Sequence, residues 1–461
     1  MIEKIFGTDG IRAIAGEGVL SPEKVRLIGY SFARSMFGNN AGRVFISNDG
    51  RLSCKDIEED LICGISQQGS SCIIVGLLPT PALSICINKL DESMISAIQI
   101  TASHNQYKDN GMKFFDNKGE KISRETQKKM EEIITHNQIE FTNNSLKEDS
   151  CDNFKDSYRL FIQEYINRKI SSNPKTKPVN VVVDCANGAF SEIIETLFSD
   201  HIVNIIPVNN VPNGRNINLK CGATDTKYIQ NMIESNNKER ALNKNYDDKL
   251  IHYDFGLAID GDGDRAIFID HLGNVLDGDD ILLILSKYGN PTPVEVIGTL
   301  MTNFGIRESY KKLNINFVET DVGDINVLNA MKINSAAYGG ESSGHIIIND
   351  FNGFLFGDAI VTFINVLCLL NVHEKSLYDL SSIIDKTPSE LLNIKTTDKL
   401  KFLSDDTNKS AISKIKNEIG KNGRILVRPS GTENTIRILI EHTNHEKINH
   451  LKNYLYDNIK L

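Results

Sequence analysis

With 461 residues, the chain is too long for a single ordinary hydrophobic core, and several domains are expected. Hydrophobic residues make up 40% and charged residues 24%, which is typical of a globular protein and excludes a largely disordered one. The formal net charge of −9 disfavours a surface for nucleic acid or anionic membrane, and no apolar run approaches the roughly 18 residues of a transmembrane helix. We therefore expect neither a nucleic-acid partner nor a membrane partner.

The cysteines and the first residues indicate a compartment. Eight cysteines are scattered along the chain without a Cys-x-x-Cys pair, which favours reduced thiols over disulfides or a zinc site. Residues 1–7 lack the apolar core and the cleavage site of a signal peptide. The predicted localisation is cytoplasmic. A homodimer is a possible assembly on which the sequence is silent.

Short β-branched runs recur along the chain, and each is followed by glycine-rich punctuation and a helical stretch. Strand, turn and helix in alternation predict an α/β fold with parallel or mixed sheets. The clearest of these predicted strands are Arg43–Ile46, Cys72–Val75, Val179–Val183, Gly256–Ile259 and Val294–Ile297.

Polar stretches at residues 136–156 and 236–249, and a break at 371–376, indicate domain boundaries. They predict three α/β domains of similar size and a smaller C-terminal domain. The predicted ranges are residues 1–152, 153–256, 257–371 and 372–461.

The first polar loop of interest is Thr101–Asn105, which follows the alternating strand Ile95–Ile100. Ser103 at the end of a strand is a candidate nucleophile or phosphate carrier, although a helix N-cap is the commoner use of such a serine. Neighbouring His104 is not expected to act as its base, because adjacent side chains of an extended segment point apart. Ten residues on, Lys113 follows a turn signal and is either functional or a plain surface lysine.

The second loop, Asp260-Gly261-Asp262-Gly263-Asp264-Arg265, follows the predicted strand Gly256–Ile259. Alternate carboxylates separated by glycine can fold onto one cation, and three hard oxygen ligands suit Mg²⁺. An EF-hand calcium loop is excluded, since its sixth and twelfth positions hold Arg265 and His271 instead of Gly and Glu. Without a cation, the three carboxylates of a solvated acidic turn would repel one another.

Two further loops complete the set. Gly339–His345 offers hydroxyl groups that could bind a sugar and one imidazole that titrates near neutral pH, although a lone histidine is more often structural. Arg428–Glu433 lies between two predicted strands and combines cationic, hydroxyl and backbone donors, as a phosphate site does, although an ordinary turn uses the same residues. We expect four domains to surround a central cleft, because this arrangement would bring together a metal site, a carrier serine, a phosphate site and a proton-transfer loop.

In order and spacing, these four loops resemble the signature loops of the α-D-phosphohexomutase superfamily, and the resemblance covers nearly the whole chain. Residues 6–12, 79–82 and 221–225 resemble the phosphoglucosamine mutase branch in particular. The resemblance implies three related α/β domains with mixed sheets and a smaller C-terminal α+β domain around the cleft.

The resemblance also implies roles for individual residues. Ser103 would carry the phosphoryl group as phosphoserine and, with Asp260, Asp262 and Asp264, would bind one Mg²⁺ per subunit. Arg265 would stabilise the transferring group, Arg12 would frame the phosphoserine, and His345 and Lys113 would be candidates for acid–base work. The implied substrate contacts are Glu341 and Ser343 with the sugar and Arg428, Ser430, Gly431 and Thr432 with the distant phosphate.

The implied reaction is an isomerisation of glucosamine 6-phosphate to glucosamine 1-phosphate, toward UDP-N-acetylglucosamine. It would pass through a 1,6-bisphosphate, and a hexose 1,6-bisphosphate would prime the serine. A phosphomannomutase or phosphoglucomutase is the nearest alternative, since it uses the same groups on another sugar. A sugar-phosphate sensor without activity and a phosphosugar phosphatase are further alternatives.

Overall fold

The computed structural model describes residues 4–7, 9–136, 139–142, 146–148, 153–170, 179–198, 203–242, 251–351, 353–429 and 434–460. They divide into two compact units. Residues 1–300 and 318–382 belong to the larger unit, and residues 301–317 and 383–461 to the smaller. Within the described ranges, no helix combines the length and the apolar character that crossing a membrane requires.

The first sheet of the larger unit has six strands. Its elements are β1 (Ile11–Ile14), α1 (Pro22–Phe37), β2 (Arg43–Asn48), α2 (Cys54–Gln68), β3 (Ser71–Leu77), α3 (Thr80–Leu90), β4 (Ile95–Ile100), β5 (Asp109–Phe115), α4 (Arg124–His136) and β6 (Lys147–Glu148). The strand order is β1-β5-β4-β2-β3-β6. Strand β2 runs parallel to β3 and β4, whereas β5 is antiparallel to β4.

The second sheet has five strands. Its elements are α5 (Phe154–Ile170), β7 (Val179–Asp184), α6 (Ile194–Leu197), β8 (Val203–Val208), α7 (Lys227–Leu242), β9 (Phe255–Ile259), β10 (Ala266–Asp270) and β11 (Val275–Leu276). The strand order is β11-β10-β9-β7-β8. Strand β7 is parallel to β8 and β9, and β10 is antiparallel to β9.

The third sheet has four strands in the order β13-β12-β14-β15. The next elements along the chain are α8 (Gly278–Tyr288), β12 (Glu295–Thr299), α9 (Phe304–Lys312, in the smaller unit), β13 (Asn316–Thr320), α10 (Asp324–Asn334), β14 (Tyr338–Gly340), β15 (Ile346–Ile348), α11 (Ala359–His373) and α12 (Leu377–Ser381). Strand β14 is parallel to β12 and antiparallel to β15.

The smaller unit contains an antiparallel sheet in the order β16-β18-β17. Its elements are β16 (Ser389–Lys395), α13 (Lys399–Ser404), α14 (Asp406–Ile419), β17 (Gly423–Pro429), β18 (Thr435–His442) and α15 (His445–Asn458). Alternate residues of β18, such as Ile436, Ile438 and Ile440, are buried with apolar residues of α14 and α15. One face of the sheet therefore packs on helices, as the period-2 pattern of the strand dictates.

One strand pattern recurs in the larger unit. The three sheets contain the orders β5-β4-β2-β3, β10-β9-β7-β8 and β15-β14-β12-β13. In each order, the first strand named comes last in sequence, and it lies antiparallel beside the strand that precedes it in sequence. Three α/β domains with mixed sheets and a smaller fourth sheet are thus present, and the predicted fold class is confirmed. The loops at 101–108, 260–265 and 341–345 connect equivalent strand pairs in the three sheets.

The predicted boundary between residues 256 and 257 does not follow the sheets. Strand β9, before the Asp260 loop, pairs with β7, and β10, after the loop, pairs with β9, so this loop belongs to the second sheet and not to the start of the third domain. The polar stretch 236–249 suggested a domain boundary, but residues 236–242 belong to α7 and residues 243–249 lie outside the described residues. The other two boundaries, at 152 and 371, stay predictions.

Helices α1 and α2 cross at two glycines. A β-carbon at Gly64 would lie 1.8 Å from the carbonyl oxygen of Arg26, and one at Gly29 would lie 2.7 Å from that of Leu61. This close approach lets both helices bury apolar side chains such as Ile28 and Leu61 against the first sheet. The packing of the first domain therefore depends on backbone contact between the two helices.

Gly64→Ala is expected to lower the free energy of unfolding by about 1–3 kcal/mol, because the added methyl group forces the two helix backbones apart. Urea unfolding followed by circular dichroism measures this change. Gly7→Ala is the matched control, since Gly7 is exposed and the nearest atom to a β-carbon there is 3.5 Å away. A stability of Gly64→Ala equal to that of the control would contradict the packing argument.

Candidate functional site

Ser103 lies fully buried at the end of β4, and its hydroxyl group faces the second sheet. Its Oγ donates a hydrogen bond to Oδ2 of Asp260 at 2.7 Å, across 157 residues of sequence. The backbone at Ser103 has φ +52°, a left-handed conformation that non-glycine residues adopt at a cost of about 1–3 kcal/mol. Such a conformation persists only when the surrounding contacts enforce it.

A buried ion pair of the first domain enforces this conformation. The guanidinium group of Arg51 pairs with Asp49 at 2.8 Å and donates a hydrogen bond to the Ser103 carbonyl oxygen at 2.9 Å. Asp49 also accepts a hydrogen bond from the Thr101 hydroxyl group at 2.6 Å, and Thr101 Oγ1 in turn accepts one from the Ser103 N–H at 2.7 Å. The loop at residues 101–105 is called the carrier loop here, after the role predicted for Ser103. It is held by side chains that follow the neighbouring strand, β2.

His104 contacts Ser103, contrary to the expectation from the sequence. Its Nδ1 lies 3.2 Å from the serine Oγ, because the left-handed turn at Ser103 removes the alternation of an extended strand. Burial, together with the positive charges of Arg265 and Arg12, lowers the pKa of His104 to about 3. The imidazole next to the carrier is therefore neutral at physiological pH.

The three aspartates of the metal loop, residues 260–264, form a compact set of ligands. One carboxylate oxygen from each of Asp260, Asp262 and Asp264 lies within 4.8 Å of the others, and all three residues are buried. Oδ1 of Asp262 and Oδ1 of Asp264 have no hydrogen-bond partner in the described part of the chain. Buried carboxylate oxygens without a hydrogen bond are suited to a cation, so the residues present fit a divalent metal ion.

Backbone amides from three domains hold the metal loop. The carbonyl oxygen of Gly261 accepts the N–H of Ala189 at 2.8 Å, and that of Asp262 accepts the N–H of Thr80 at 2.9 Å. The carbonyl of the following residue, Gly263, accepts the N–H of Ala359 at 3.2 Å. Thr80 and Ala359 are the first residues of α3 and α11, whose N–H groups need partners and favour negative charge nearby.

Lys113 supplies the counter-charge to the metal loop. Its Nζ lies 2.8 Å from Asp262, 2.6 Å from Asp264 and 3.3 Å from Asp9. Burial alone would lower the pKa of Lys113, but these carboxylates outweigh burial and hold that pKa well above its ordinary value. By contrast, burial and the two neighbouring aspartates raise the pKa of Asp260 to about 7.

The predicted arginines lie at the edge of the same site. Arg265 Nε is 3.8 Å from Asp260 and 3.9 Å from Asp264. Arg12 donates a hydrogen bond to Asp9 at 2.7 Å and keeps part of its side chain exposed. Arg265 thus approaches the metal loop directly, and Arg12 pairs with Asp9, which also contacts Lys113.

The loop after β14 brings His345 to the metal loop. The Nδ1 atom of His345 lies 3.6 Å from Oδ1 of Asp264. Glu341 accepts the N–H of Gly323 at 2.9 Å, and Ser343 Oγ has no hydrogen-bond partner among the described residues. The structure therefore brings the predicted proton-transfer residue His345 to the predicted metal site, at the end of the loop that carries Glu341 and Ser343.

Residues of the predicted phosphate loop belong to the smaller unit. Arg428 is half-buried on β17 and stands directly opposite Arg437 of β18. Side chains of directly opposed residues lie on the same face of a sheet, so Arg428 and Arg437 place two cationic groups on one face. Ser430, Gly431 and Thr432 lie outside the described residues.

Four family models together match almost the whole chain. Residues 3–140, 157–273 and 277–387 match the phosphoglucomutase/phosphomannomutase alpha/beta/alpha domains I, II and III. Residues 391–457 match the phosphoglucomutase/phosphomannomutase C-terminal domain.

Relatives with the same domains are similar over their full length. A phosphoglucosamine mutase from Coxiella burnetii (strain Dugway 5J108-111) is 34% identical over 96% of this chain and 95% of the relative. One from Buchnera aphidicola subsp. Baizongia pistaciae is 36% identical over 97% and 94%. The chain belongs to the phosphoglucosamine mutase family.

The fold of this family member also matches solved structures. A phosphoglucomutase/phosphomannomutase family protein from Burkholderia thailandensis superposes with a TM-score of 0.75 at 20% identity, over 98% of this chain and 96% of that one. At this identity the likeness supports the fold alone.

Several residues of the site escaped sequence reasoning. Arg51, Asp49 and Asn218 hold the carrier loop, and Lys121 contacts both Asp9 and Asp324 between the first and third sheets. A charged pair directly after the predicted strand 43–46 was the available signal for Asp49 and Arg51. Lys121 and Asn218 had no local signal, because their partners lie more than a hundred residues away in sequence.

Asp262→Asn is expected to weaken Mg²⁺ binding by about tenfold or more, because it removes the charge of a ligand. Isothermal titration calorimetry with MgCl₂ measures this affinity. Asp406→Asn makes the same change at a fully exposed side chain and is expected to bind Mg²⁺ as the wild type does. Equal affinities of the two variants would exclude the metal loop as the site.

Proposed function

We propose that the chain interconverts glucosamine 6-phosphate and glucosamine 1-phosphate through phosphorylated Ser103 and a bound 1,6-bisphosphate. The chain is then an isomerase of the phosphoglucosamine mutase type, acting on a small sugar phosphate. Family membership over the full length supports the reaction class, and the geometry around Ser103 supports the mechanism.

One contact carries the proposal. Ser103 Oγ lies 2.7 Å from a carboxylate of the metal loop, and both groups are buried. A serine that serves only as a helix cap needs no acidic ligand set beside its hydroxyl group. A phosphoryl group on this oxygen would stand between Asp260 and the guanidinium of Arg265, where its charge is neutralised.

The residues that would hold the metal ion are Asp260, Asp262, Asp264 and the phosphorylated Ser103. Mg²⁺ is the cation that three carboxylates and one phosphate oxygen suit, and when bound it neutralises charge on the phosphoryl group. Arg265 and Arg12 would orient the same group through their guanidinium donors. Lys113 holds two of the aspartates in place through its contacts at 2.8 and 2.6 Å.

Phosphoryl transfer then runs in two directions. In the first step, the bond between Ser103 Oγ and phosphorus breaks and a bond between phosphorus and O1 of glucosamine 6-phosphate forms. The 1,6-bisphosphate turns over, and Ser103 Oγ takes the phosphoryl group from O6, which leaves glucosamine 1-phosphate. A hexose 1,6-bisphosphate primes the serine by the same second step.

His345 is our choice for moving the proton of the sugar hydroxyl. The Lys113 ammonium group donates hydrogen bonds to Asp262 and Asp264 and forms an ion pair with Asp9 at 3.3 Å, so these carboxylates favour its charged form, which does not accept a proton. His345 lies at the edge of the same aspartates and carries a ring nitrogen that can exchange a proton.

Six residues are proposed to bind the substrate. We assign the sugar hydroxyls to Glu341 and Ser343, and the phosphate that does not react to Arg428 together with Ser430, Gly431 and Thr432. The opposed pair Arg428 and Arg437 supports an anion site on this sheet.

Cytoplasmic action is supported by the free thiols of the seven described cysteines, and the homodimer stays a prediction from the sequence.

Phosphorus NMR tests the reaction. The protein, Mg²⁺ and a trace of glucose 1,6-bisphosphate are expected to convert glucosamine 6-phosphate to glucosamine 1-phosphate faster than they convert glucose or mannose 6-phosphate. Ser103→Ala removes the atom that carries the phosphoryl group and is expected to abolish conversion.

Faster turnover of glucose or mannose 6-phosphate would keep the mechanism and change the substrate. Release of inorganic phosphate without isomerisation would indicate a phosphatase. No isomerisation of any of the three sugars by folded, metal-loaded protein would refute the proposed activity and leave the sensor.

Arg428→Ala is expected to raise the KM for glucosamine 6-phosphate by about 10- to 100-fold, since a hydrogen bond to a charged group contributes about 1.5–3 kcal/mol. The kcat should change much less, because the distant phosphate is bound equally before and during transfer. Initial rates in a coupled assay separate the two constants. Lys421→Ala, an exposed lysine of the same unit, is the control, and an equal KM in both variants would exclude Arg428 from the substrate site.

A further inference from the structure

The second α/β domain supplies a side chain to the carrier loop. The amide nitrogen of Asn218 donates hydrogen bonds to the carbonyl oxygens of Ser103 and Asn105, at 2.8 and 3.0 Å. Asn218 is 5% exposed. The reverse orientation of the amide would set its oxygen against two carbonyl oxygens, so its two N–H donors face the carrier loop.

A fixed loop holds Asn218 in this position. The N–H of Asn218 donates to the carbonyl oxygen of Ala186 at 2.9 Å, and the N–H of Gly222 donates to Asp184 at the end of β7, also at 2.9 Å. Gly222 has φ +73°, and a β-carbon there would lie 2.6 Å from the carbonyl oxygen of Ile259. The segment that resembles the phosphoglucosamine mutase branch, residues 221–225, thus anchors the loop of Asn218 to β7 and β9.

The carrier loop needs support from more than its own domain. Arg51 binds the Ser103 carbonyl from the first domain, and Asn218 binds the same oxygen from the second. The two carbonyls that Asn218 holds flank His104, and together they define the turn that places Ser103 at φ +52°. Asn218 also lies against the metal loop, since a β-carbon at Gly261 would be 2.8 Å from its nitrogen.

We propose that Asn218 is a positioning residue that fixes the left-handed backbone of Ser103 and so directs Oγ toward Asp260. This inference rests on the proposed function, in which Ser103 carries the phosphoryl group. Asn218 itself contacts neither the sugar-binding loop nor the phosphate loop in any described contact. Its loss therefore lowers the rate of phosphoryl transfer and leaves the affinity for substrate in place.

The test replaces the donors of the amide without changing its shape. In Asn218→Asp, an oxygen faces the two carbonyls, and kcat with glucosamine 6-phosphate is expected to fall about 10- to 100-fold while KM stays within about twofold. Asn218→Ala only removes the donors and is expected to show a smaller fall in kcat. Asn204→Asp, an exposed residue of β8, makes the same charge change in the same domain and is expected to keep the wild-type kcat.

A second measurement follows Ser103 directly. Each variant is mixed with glucose 1,6-bisphosphate, and intact-protein mass spectrometry records the rate at which Ser103 gains a phosphoryl group. Slower loading in both Asn218 variants, with a melting temperature near that of Asn204→Asp, is the expected result and is one that a purely structural role does not produce.

Wild-type kcat and loading rate in a folded Asn218→Ala would overturn the inference, whether or not Asn218→Asp folds. A fall in catalytic efficiency that appears only in KM would overturn it as well. Failure of the wild type to isomerise glucosamine 6-phosphate would count against the proposed function instead, and the loading rates would still decide the role of Asn218.

Discussion

Three consecutive carbonyl oxygens of the metal loop, at residues 261–263, are bound by backbone amides from three different domains. Two of these amides begin helices α3 and α11, and the third follows strand β7. The acidic loop thus satisfies helix N–H groups that otherwise need solvent, while the positive ends of the helices favour its charge. The positions of Asp260, Asp262 and Asp264 are therefore set by the packing of three sheets, and the loop alone would not hold them.

The same connection is used three times for different chemistry. In each sheet of the larger unit, the loop between the last parallel strand and its antiparallel neighbour carries the polar residues: Ser103 in the first, the aspartates in the second and His345 in the third. Since a strand order repeated three times presents its loops at equivalent ends, one fold supplies a serine, three carboxylates and an imidazole from three sheets. The glycines of the second loop permit contacts that a β-carbon would block, as at Gly261 beside the Ser103 carbonyl.

Local patterns were enough to predict the fold class, the grouping of three carboxylates in one loop and the position of Ser103 after a strand. The alternation of short apolar runs with turns predicts strands and helices, and three aspartates separated by glycines predict an acidic loop. The metal loop was assigned to the third domain but lies in the second sheet. The pairing of β9 with β7 joins segments far apart in sequence, so no local pattern predicts it. The contact of His104 with Ser103 depends on one φ angle, and the roles of Arg51, Asn218 and Lys121 depend on partners that tertiary structure brings near.

The sequence separations within the site have a consequence for synthesis. The contacts of Ser103 with Asn218 and Asp260 span 115 and 157 residues, and that of Thr80 with Asp262 spans 182. Contacts so distant in sequence close late, after each sheet has formed. While only the first domain has been synthesised, the Ser103 hydroxyl group lacks its partner Asp260, and the Ser103 carbonyl oxygen has Arg51 but not Asn218. The contacts that surround the Ser103 hydroxyl group therefore cannot all form until the second sheet is complete.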